Sequence, residues 1–273
     1  MKTEFGYIDE RYIAKSVRPR KRDSNKGDFG TLALLCGSPL MTGAARLAAA
    51  GALRSGVGLL KMFGSSAMID KLQAFLCEPV FADIDGFDLT GCTAFLCGCG
   101  IGRYYDGILP DVISSCRVKT VFDADCINFI AANIDILKRA ECPVTLTPHP
   151  GEMARLTGKS VSEIQSDRIG TAARFASEHG CVTVLKGSGT VVASPDGRIM
   201  VNTTGSSALA KGGSGDVLAG VIASLNAQGY GQFEAACIGV YLHGRAGDIL
   251  SRELGESGVL PSDLPAKIGF LLG

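Results

Sequence analysis

The chain has 273 residues, of which 46% are hydrophobic and 20% charged, and its 27 basic and 27 acidic side chains give a formal net charge of zero. This length suits one large domain with a sizeable buried core, and the composition is not that of a disordered chain. Charge neutrality argues against a protein that coats nucleic acid, because phosphate binding needs a basic excess. Charge neutrality does not exclude a small anionic ligand, because such a ligand needs only local hydrogen-bond donors.

The ten cysteines are interpreted as buried, reduced thiols, because many lie in apolar runs and no CxxC pair suggests a zinc site. The chain opens with a charged stretch rather than a signal peptide. No apolar stretch reaches the about 18 residues that a membrane span requires. We therefore expect a cytoplasmic protein with no membrane or nucleic-acid partner.

Residues 1–26 are polar and contain a basic cluster, made up of Arg18, Arg20, Lys21, Arg22 and Lys26. Such a charge run is typically a solvated extension, and this is the default expectation for the segment. An arm that reaches a bound phosphate is the alternative.

From residue 31 onward, short apolar runs alternate with helical patterns. The runs, typical of strands buried on both faces, are 31–36, 57–63, 93–97, 119–122, 143–146 and 182–185. Helices are expected at 41–55, 160–178, 216–226 and 233–254, and the second begins with a capping-box pair, Ser160 and Glu163. The runs 191–194 and 198–201 flank a Pro-Asp-Gly turn and predict a hairpin. This alternation predicts one α/β domain over residues 1–273, with a mostly parallel central sheet and helices on both faces.

Loops rich in glycine and polar residues follow four of these strands, at 98–102, 123–125, 147–152 and 186–190. The carboxyl ends of parallel strands lie at one edge of a sheet, where ligands bind in such folds. The sequence therefore predicts one composite cleft rather than scattered turns.

The strongest candidate for chemistry is the segment 205–216, which ends in Gly-Gly-Ser-Gly-Asp directly before an apolar helix. Glycines before a helix let backbone N–H groups converge on an anion, and we expect an anion hole at Gly213, Ser214 and Gly215. Asp216 could accept a proton from a hydroxyl beside the bound phosphate. The alternative is that Asp216 merely caps the helix. Three glycines in four residues favour the catalytic interpretation.

Two further loops carry candidate ligand contacts. The segment Lys186–Thr190, Lys-Gly-Ser-Gly-Thr, is either an ordinary tight turn or a nucleotide contact, and its place beside the anion loop favours the nucleotide. His149 lies in a strand-end loop and is expected to face a ligand, whereas His179 and His243 lie in helical patterns and are expected to be structural.

The segment after the strand at 119–122 leaves two interpretations open. Asp123, Asp125 and Asn128 could hold a magnesium–phosphate assembly through water molecules. Alternatively, Asp125 is the N-cap of the helix that begins near Cys126.

Five motifs occur in order along the chain: NKGDFG at 25–30, GAA at 43–45, DADCIN at 123–128, TPHPGEMARL at 147–156 and GGSGD at 212–216. Together they resemble the ADP/ATP-dependent NAD(P)H-hydrate dehydratase family, which has a ribokinase-like fold. The resemblance extends from about residue 25 over nearly the whole chain. The chain is similar to the dehydratase domain alone, and to its ADP-using bacterial branch.

The resemblance implies that the chain converts hydrated NADH or NADPH back to the intact cofactor. A nucleotide phosphoryl group would activate the ring hydroxyl, which leaves as phosphate, so that ADP yields AMP and phosphate. The implied substrate site consists of Ala44, Gly102, His149 and Asp216, with Asp216 as the base. The implied nucleotide site consists of Lys186, Gly187, Ser188, Gly189, Thr190 and Gly215. The resemblance also implies Mg²⁺, no metal held by side chains alone, and a homo-oligomer such as a tetramer.

Two rival functions remain at this point. A kinase of the same fold that phosphorylates a thiazole or pyrimidine alcohol would use the same glycine loop and aspartate base, but the His149-Pro-Gly-Glu segment argues against it. A nucleotide-binding sensor without catalysis would need no base, so replacing Asp216 would leave it functional.

Overall fold

A ten-stranded sheet forms the centre of the protein in the computed structural model, which describes residues 4–273. The strands are β1 (Gly6–Ile8), β2 (Thr31–Leu35), β3 (Leu59–Gly64), β4 (Val80–Asp83), β5 (Ala94–Cys97), β6 (Lys119–Phe122), β7 (Val144–Leu146), β8 (Val182–Leu185), β9 (Val191–Ala193) and β10 (Ile199–Asn202). Their order across the sheet is β1-β10-β9-β8-β7-β6-β5-β2-β3-β4. All neighbours pair in parallel except β9, which is antiparallel to β8 and to β10.

Helices cover both faces of the sheet. They are α1 (Glu10–Ser16), α2 (Thr42–Arg54), α3 (Ser66–Gln73), α4 (Leu109–Ser115), α5 (Ala124–Ala132), α6 (Pro150–Thr157), α7 (Val161–Ser166), α8 (Arg168–His179), α9 (Ser214–Ala227), α10 (Gln232–Leu254) and α11 (Leu264–Leu272). One hydrophobic core lies under α2, α9, α10 and α11, and a second lies under α4, α5, α6 and α8. The predicted mostly parallel α/β architecture is confirmed.

Strand β2 shows why the apolar runs of the sequence are continuous rather than alternating. Leu32 and Leu34 belong to one core, and Ala33 and Leu35 belong to the other. All four side chains are fully buried. A central parallel strand buries both of its faces, so every position along it is apolar.

The expectation of a single helix over 160–178 is wrong, because the chain breaks at Asp167 between α7 and α8. Asp167 has φ −144° and ψ 64°, and its carboxylate accepts the Gly170 amide as the N-cap of α8. A side chain that competes for backbone donors ends one helix and starts the next. The capping box at Ser160 and Glu163 is present as predicted.

The expectation that residues 1–26 form a solvated extension differs from the structure over much of that segment; residues 1–3 lie outside the described residues. Strand β1 pairs in parallel with β10, and α1 follows it. Ile8 is fully buried, and Tyr12 and Ile13 pack against the same core. These three side chains are enough to anchor a segment whose overall composition is polar.

The basic cluster lies at the sheet edge opposite to the strand-end loops. The Arg18 guanidinium stacks on Tyr230 at 4.2 Å from the ring centroid and pairs with Glu234 at 3.0 Å. Arg20 lies over Phe29, which precedes β2, at 3.7 Å from the ring centroid. The alternative of an arm that reaches a phosphate in the strand-end cleft therefore does not hold for these two arginines.

Eight of the ten cysteines are buried, as expected, whereas Cys142 is half-buried and Cys77 is exposed. All ten are unbridged. Over residues 4–273, every helix is too short or too polar to traverse a lipid bilayer.

Helices α2 and α9 are in backbone contact through one glycine from each. A Cβ atom on Gly51 of α2 would lie 2.5 Å from the Val217 carbonyl oxygen of α9. A Cβ atom on Gly220 of α9 would collide with the Ala48 carbonyl oxygen of α2. Because both helices also pack on the sheet, neither can move away to make room for a Cβ atom. Positions 51 and 220 therefore exclude any side chain.

We expect Gly51→Ala to lower the free energy of unfolding by about 1–3 kcal/mol, because the added methyl group meets a carbonyl oxygen that cannot move away. Gly43→Ala, in the same helix, is the matched control, since a Cβ atom there has open space. The control should be neutral or stabilising by up to about 1 kcal/mol. Urea unfolding measures both, and equal effects would contradict the backbone-contact interpretation.

Candidate active site

Four strand-end loops meet at one edge of the sheet because β5, β6, β7 and β8 are adjacent and parallel. Backbone hydrogen bonds join the loops to one another. The Asp125 amide donates to the Gly98 carbonyl at 3.3 Å, and the Lys186 amide donates to the Pro148 carbonyl at 2.8 Å. The edge thus forms one continuous surface, as the loop positions predict.

A cavity of about 730 Å³ opens at this edge between the loops and the beginning of α9. Among its lining residues are seven of the individually predicted site residues: His149, Lys186, Gly187, Ser188, Thr190, Ser214 and Gly215. Its volume falls in the range of small-molecule sites. Gly189, the remaining member of the Lys186–Thr190 segment, is not part of the lining.

The rest of the cavity lining comes from β10, the loop after it, α9 and α10, together with Pro150 of α6. These residues are Asn202, Thr204, Gly205, Ser206, Ser207, Leu209, Ala210, Lys211, Leu218, Val240, His243 and Gly244. Residues 205–211 belong to the segment that the sequence singles out, although the sequence predicts no individual ligand contact for them. Sequence reasoning missed the ligand-facing position of Asn202, Thr204, Val240, His243 and Gly244, which carry no motif and reach the cavity through tertiary contacts such as that of α10 with α9.

A buried cluster of charges holds the floor of the site together. The Lys186 ammonium lies 2.6 Å from Asp123 Oδ1 and 3.8 Å from Glu152 Oε2. The Thr147 hydroxyl also donates to Asp123 Oδ1, at 2.6 Å. Both carboxyl side chains are at most 5% exposed. Lys186, which directly follows β8, therefore joins the loops that follow β6 and β7.

Burial sets the protonation behaviour of this cluster. Burial disfavours the Lys186 ammonium, but Asp123 and Glu152 outweigh it and hold the pKa of Lys186 above its usual value. Burial raises the pKa of Glu152 to about 7 against the opposing effect of Lys186. Lys186 therefore stays charged, whereas Glu152 titrates near neutrality.

Neither interpretation of the DADCIN segment matches what the structure shows. Helix α5 begins at Ala124 with Asp123 as its N-cap, so Asp125 does not occupy the capping position. The Asp125 carboxylate instead accepts the Gly102 amide at 2.8 Å, and the side-chain Oδ1 of Asn128 accepts a hydrogen bond from the Arg155 guanidinium at 2.9 Å. Since Asp123 binds Lys186, the three side chains do not converge on a common point.

One group of side chains with the spacing of metal ligands is found within residues 4–273: Cys99, Asp123 and Asp216, whose ligand atoms lie within 4.8 Å of one another. Magnesium prefers oxygen ligands and avoids thiols. Asp123 is moreover already paired with Lys186. This donor set does not fit a magnesium ion held by the protein alone.

Asp216 does not cap α9. It is the third residue of that helix, whose N-cap is Gly213 at φ 100°, and no side chain makes a capping hydrogen bond there. The carboxylate is largely withdrawn from solvent beside Asp123 and Cys99. Burial and the charge of Asp123 together raise the pKa of Asp216 to about 7. A carboxylate with this pKa is suited to general-base catalysis near neutral pH.

His149 lies at the cavity wall and also caps α6. Its Nδ1 accepts the amides of Gly151, at 2.9 Å, and Glu152, at 3.2 Å. The neutral ring therefore carries its hydrogen on Nε2, which lies 3.3 Å from Glu152 Oε1. The side chain is half-exposed, so Nε2 is the atom that can reach a ligand.

Ala44 and Gly102 lie outside the cavity lining, in a second group of residues around the 98–102 loop. A Cβ atom on Gly100 would lie 2.5 Å from the Ala44 Cβ, which shows how closely the loop passes the beginning of α2. Cys99 of the same loop approaches Asp216. Asp216 therefore lies between the cavity-lining Gly215 and this second group.

The family model described as NAD(P)H-hydrate dehydratase matches residues 32–269. The chain belongs to this family. The resemblance that the five motifs indicate is thereby confirmed. The chain is 39% identical to the ADP-dependent (S)-NAD(P)H-hydrate dehydratase of Neisseria meningitidis, over 93% of this chain and 88% of that protein. It spans about half the length of the bifunctional NAD(P)H-hydrate repair enzymes that it also matches.

Solved structures of the family share the architecture. The Bacillus subtilis ADP/ATP-dependent NAD(P)H-hydrate dehydratase, co-crystallised with ATP and Mg²⁺, superposes with a TM-score of 0.89 at 32% identity, covering 98% of both chains. A ribokinase-like superfamily protein of Enterococcus faecalis superposes with a TM-score of 0.87 at 24% identity, over 98% of this chain and 95% of that one, and shows the shared fold alone. The ribokinase-like fold expected from the motifs is confirmed.

We expect Lys186→Met to lower the free energy of unfolding by about 3–5 kcal/mol, because it leaves Asp123 and Glu152 buried without their counter-charge. Adding Asp123→Asn should recover part of this loss. Lys159→Met, at an exposed lysine, is the control and should change stability by less than about 0.5 kcal/mol. Denaturant unfolding measures all three, and a Lys186 variant as stable as the control would rule out a structural role for the cluster.

We expect Asp216→Asn to stabilise the protein increasingly as the pH rises from about 4 to about 7. The raised pKa means that the folded protein binds this proton more tightly than the unfolded chain, so ionisation of Asp216 costs stability as the pH increases. At pH 8 the gain should be on the order of 1–3 kcal/mol. Unfolding at pH 5 and at pH 8 measures it. Asp111→Asn, at an exposed aspartate, is the control, and a gain that does not depend on pH would contradict the expectation.

Proposed function

We propose that the chain catalyses the ADP-dependent dehydration of (S)-NAD(P)H hydrate, returning NADH or NADPH and releasing AMP and phosphate. The observation that carries this proposal is the place of Asp216: a carboxylate with a pKa of about 7, beside a helix N-terminus built for an anion, in a chain of the dehydratase family. Base and anion hole are adjacent residues, as phosphoryl transfer to a hydroxyl requires.

The nucleotide would occupy the cavity. Leu209, Leu218 and Val240 give one part of the wall an apolar character that suits an adenine ring, and Lys186 and Gly215 line the part nearest to Asp216. A Cβ atom on Gly215 would lie 3.4 Å from the Lys186 ammonium, so the helix start and the lysine can both approach the phosphates. The proposed nucleotide contacts are therefore Lys186 to Thr190 and Gly215.

The hydrate would bind on the other side of Asp216, against Ala44 and Gly102, and His149, which lines the cavity, would contact it from the nucleotide side. Asp216 takes the proton of the ring hydroxyl while the hydroxyl oxygen attacks the terminal phosphorus of ADP and the bond to AMP breaks. Gly213, Ser214 and Gly215 stabilise the charge on the phosphoryl group during transfer. The carbon–oxygen bond then breaks, phosphate leaves with the bonding electrons, and loss of a proton from the adjacent ring carbon restores the double bond.

Magnesium fits this proposal only as an ion that arrives with the nucleotide. The side chains present do not form a magnesium site by themselves, so phosphate oxygens and water would supply its ligands.

The expected homo-oligomer and the cytoplasmic location stay predictions. Large apolar side chains are exposed on the described surface, notably Leu40 at 95% and Phe270 at 79%. An interface between copies of the chain would bury such residues.

We expect Asp216→Asn to bind ADP with nearly unchanged affinity but to lose turnover by roughly 10²–10⁴-fold, the usual contribution of a general base. The assay follows recovery of the dihydronicotinamide absorbance from hydrated NADH, with Mg²⁺ and either ADP or ATP, and calorimetry measures ADP binding. Turnover retained by Asp216→Asn would contradict the mechanism.

The same assay separates the rival functions. Recovery that requires the nucleotide and releases one phosphate per turnover would support the dehydratase. A wild-type protein that binds ADP without recovering absorbance, but that phosphorylates a thiazole or pyrimidine alcohol with ATP, would favour the kinase.

A further inference from the structure

His243 of α10 contacts Ser214, the middle residue of the proposed anion hole. Its Nε2 lies 3.0 Å from the Ser214 carbonyl oxygen and 3.1 Å from the Ser214 hydroxyl oxygen. His243 is only 7% exposed, and it also lines the cavity. A histidine that only filled the core would not need both contacts to the residue on which the proposed phosphoryl site depends.

The carbonyl contact decides which ring nitrogen carries the hydrogen. A carbonyl oxygen can only accept, so His243 Nε2 must be the donor, and Nδ1 is then the unprotonated nitrogen. Burial and the nearby charge of Lys186 lower the pKa of His243 to about 4, so the ring remains neutral through the working range of pH. The tautomer is therefore fixed by the backbone rather than by solvent.

This tautomer determines what the Ser214 hydroxyl can do. Because Nε2 carries a hydrogen, the hydroxyl oxygen can accept from it but cannot donate to it. Within residues 4–273 no protein acceptor is found for the hydrogen of the Ser214 hydroxyl. This hydrogen is thus available to a ligand at the beginning of α9, where the free backbone amides of a helix N-terminus favour an anion.

We propose that His243 is a positioning residue that, by donating from Nε2 to the carbonyl and hydroxyl oxygens of Ser214, directs the Ser214 hydroxyl hydrogen toward the phosphoryl group in transfer. The inference rests on the proposed function, and it assigns to α10 a part in catalysis that the glycine motif alone does not contain. The role is indirect, because the serine makes the contact to the phosphoryl group and the histidine orients it.

The test compares variants that keep or remove the donor. His243→Gln can place an amide hydrogen near the position of Nε2, whereas the shorter side chain of His243→Asn cannot reach Ser214, and His243→Leu removes the donor altogether. We expect His243→Leu and His243→Asn to lose kcat by roughly tenfold, with KM for ADP changed less than about threefold, and His243→Gln to retain most of the activity. Thermal unfolding of each variant separates loss of structure from loss of positioning.

A double-mutant cycle with Ser214→Ala tests whether His243 acts through the hydroxyl. Ser214→Ala should itself lose kcat, and adding His243→Leu to it should change kcat by less than about twofold. Independent, multiplying losses would overturn the inference, as would equal kcat in folded His243→Gln and His243→Asn variants.

A spectroscopic readout does not depend on turnover. Nitrogen-15 NMR of the labelled histidine should show hydrogen on Nε2 from pH 5 to pH 8, and a ring protonated on Nδ1 would overturn the inference. Absence of turnover in the wild type would refute the proposed function and this role with it, whereas wild-type turnover with a fully active His243→Leu variant would refute the role alone.

Discussion

The contact between Lys186 and Asp123 is the interaction on which the rest of the site depends. It joins the end of β8 to the end of β6, and Glu152 brings the loop after β7 to the same ammonium group. Taking three charges out of water is costly, and here the cost is offset by placing them against one another and against the Thr147 hydroxyl. Burial and the charge of Asp123 together raise the pKa of Asp216, so the same pair that anchors the loops helps to set the pKa of the proposed base.

The site is divided at Asp216 into two regions of different character. On one side lies the cavity, with backbone amides at the beginning of α9, the ammonium of Lys186 and an apolar wall. On the other side lies the 98–102 loop against the beginning of α2. In the proposed mechanism, Asp216 lies between the nucleotide and the hydrate, which is the geometry that joins phosphoryl transfer to removal of a hydroxyl.

Much of this arrangement could be predicted from the sequence, because it depends on local patterns. The apolar runs, the glycine loops and the capping box at Ser160 each carry their signal within a few residues, and parallel topology then brings the loops together. What could not be predicted depends on tertiary contacts. The burial of Ile8 anchors β1 inside a charged segment, and the attraction of Asp125 to the Gly102 amide replaces the expected cap. The approach of α10 to the cavity, with His243 against Ser214, has no local signal at all.

The glycine contacts between α2 and α9 have a consequence for how this site can change over evolutionary time. Ala44 lies at the beginning of α2 and Asp216 at the beginning of α9. The two helices touch backbone to backbone at Gly51, about 10 Å along α2 from Ala44, and at Gly220, about 6 Å along α9 from Asp216. Because of these two contacts, we expect α2 and α9 to move together as one rigid unit. A descendant enzyme that accepts a bulkier substrate cannot gain room by sliding one helix past the other, so we expect new specificity to arise in loops such as 98–102, which the two glycine contacts do not hold.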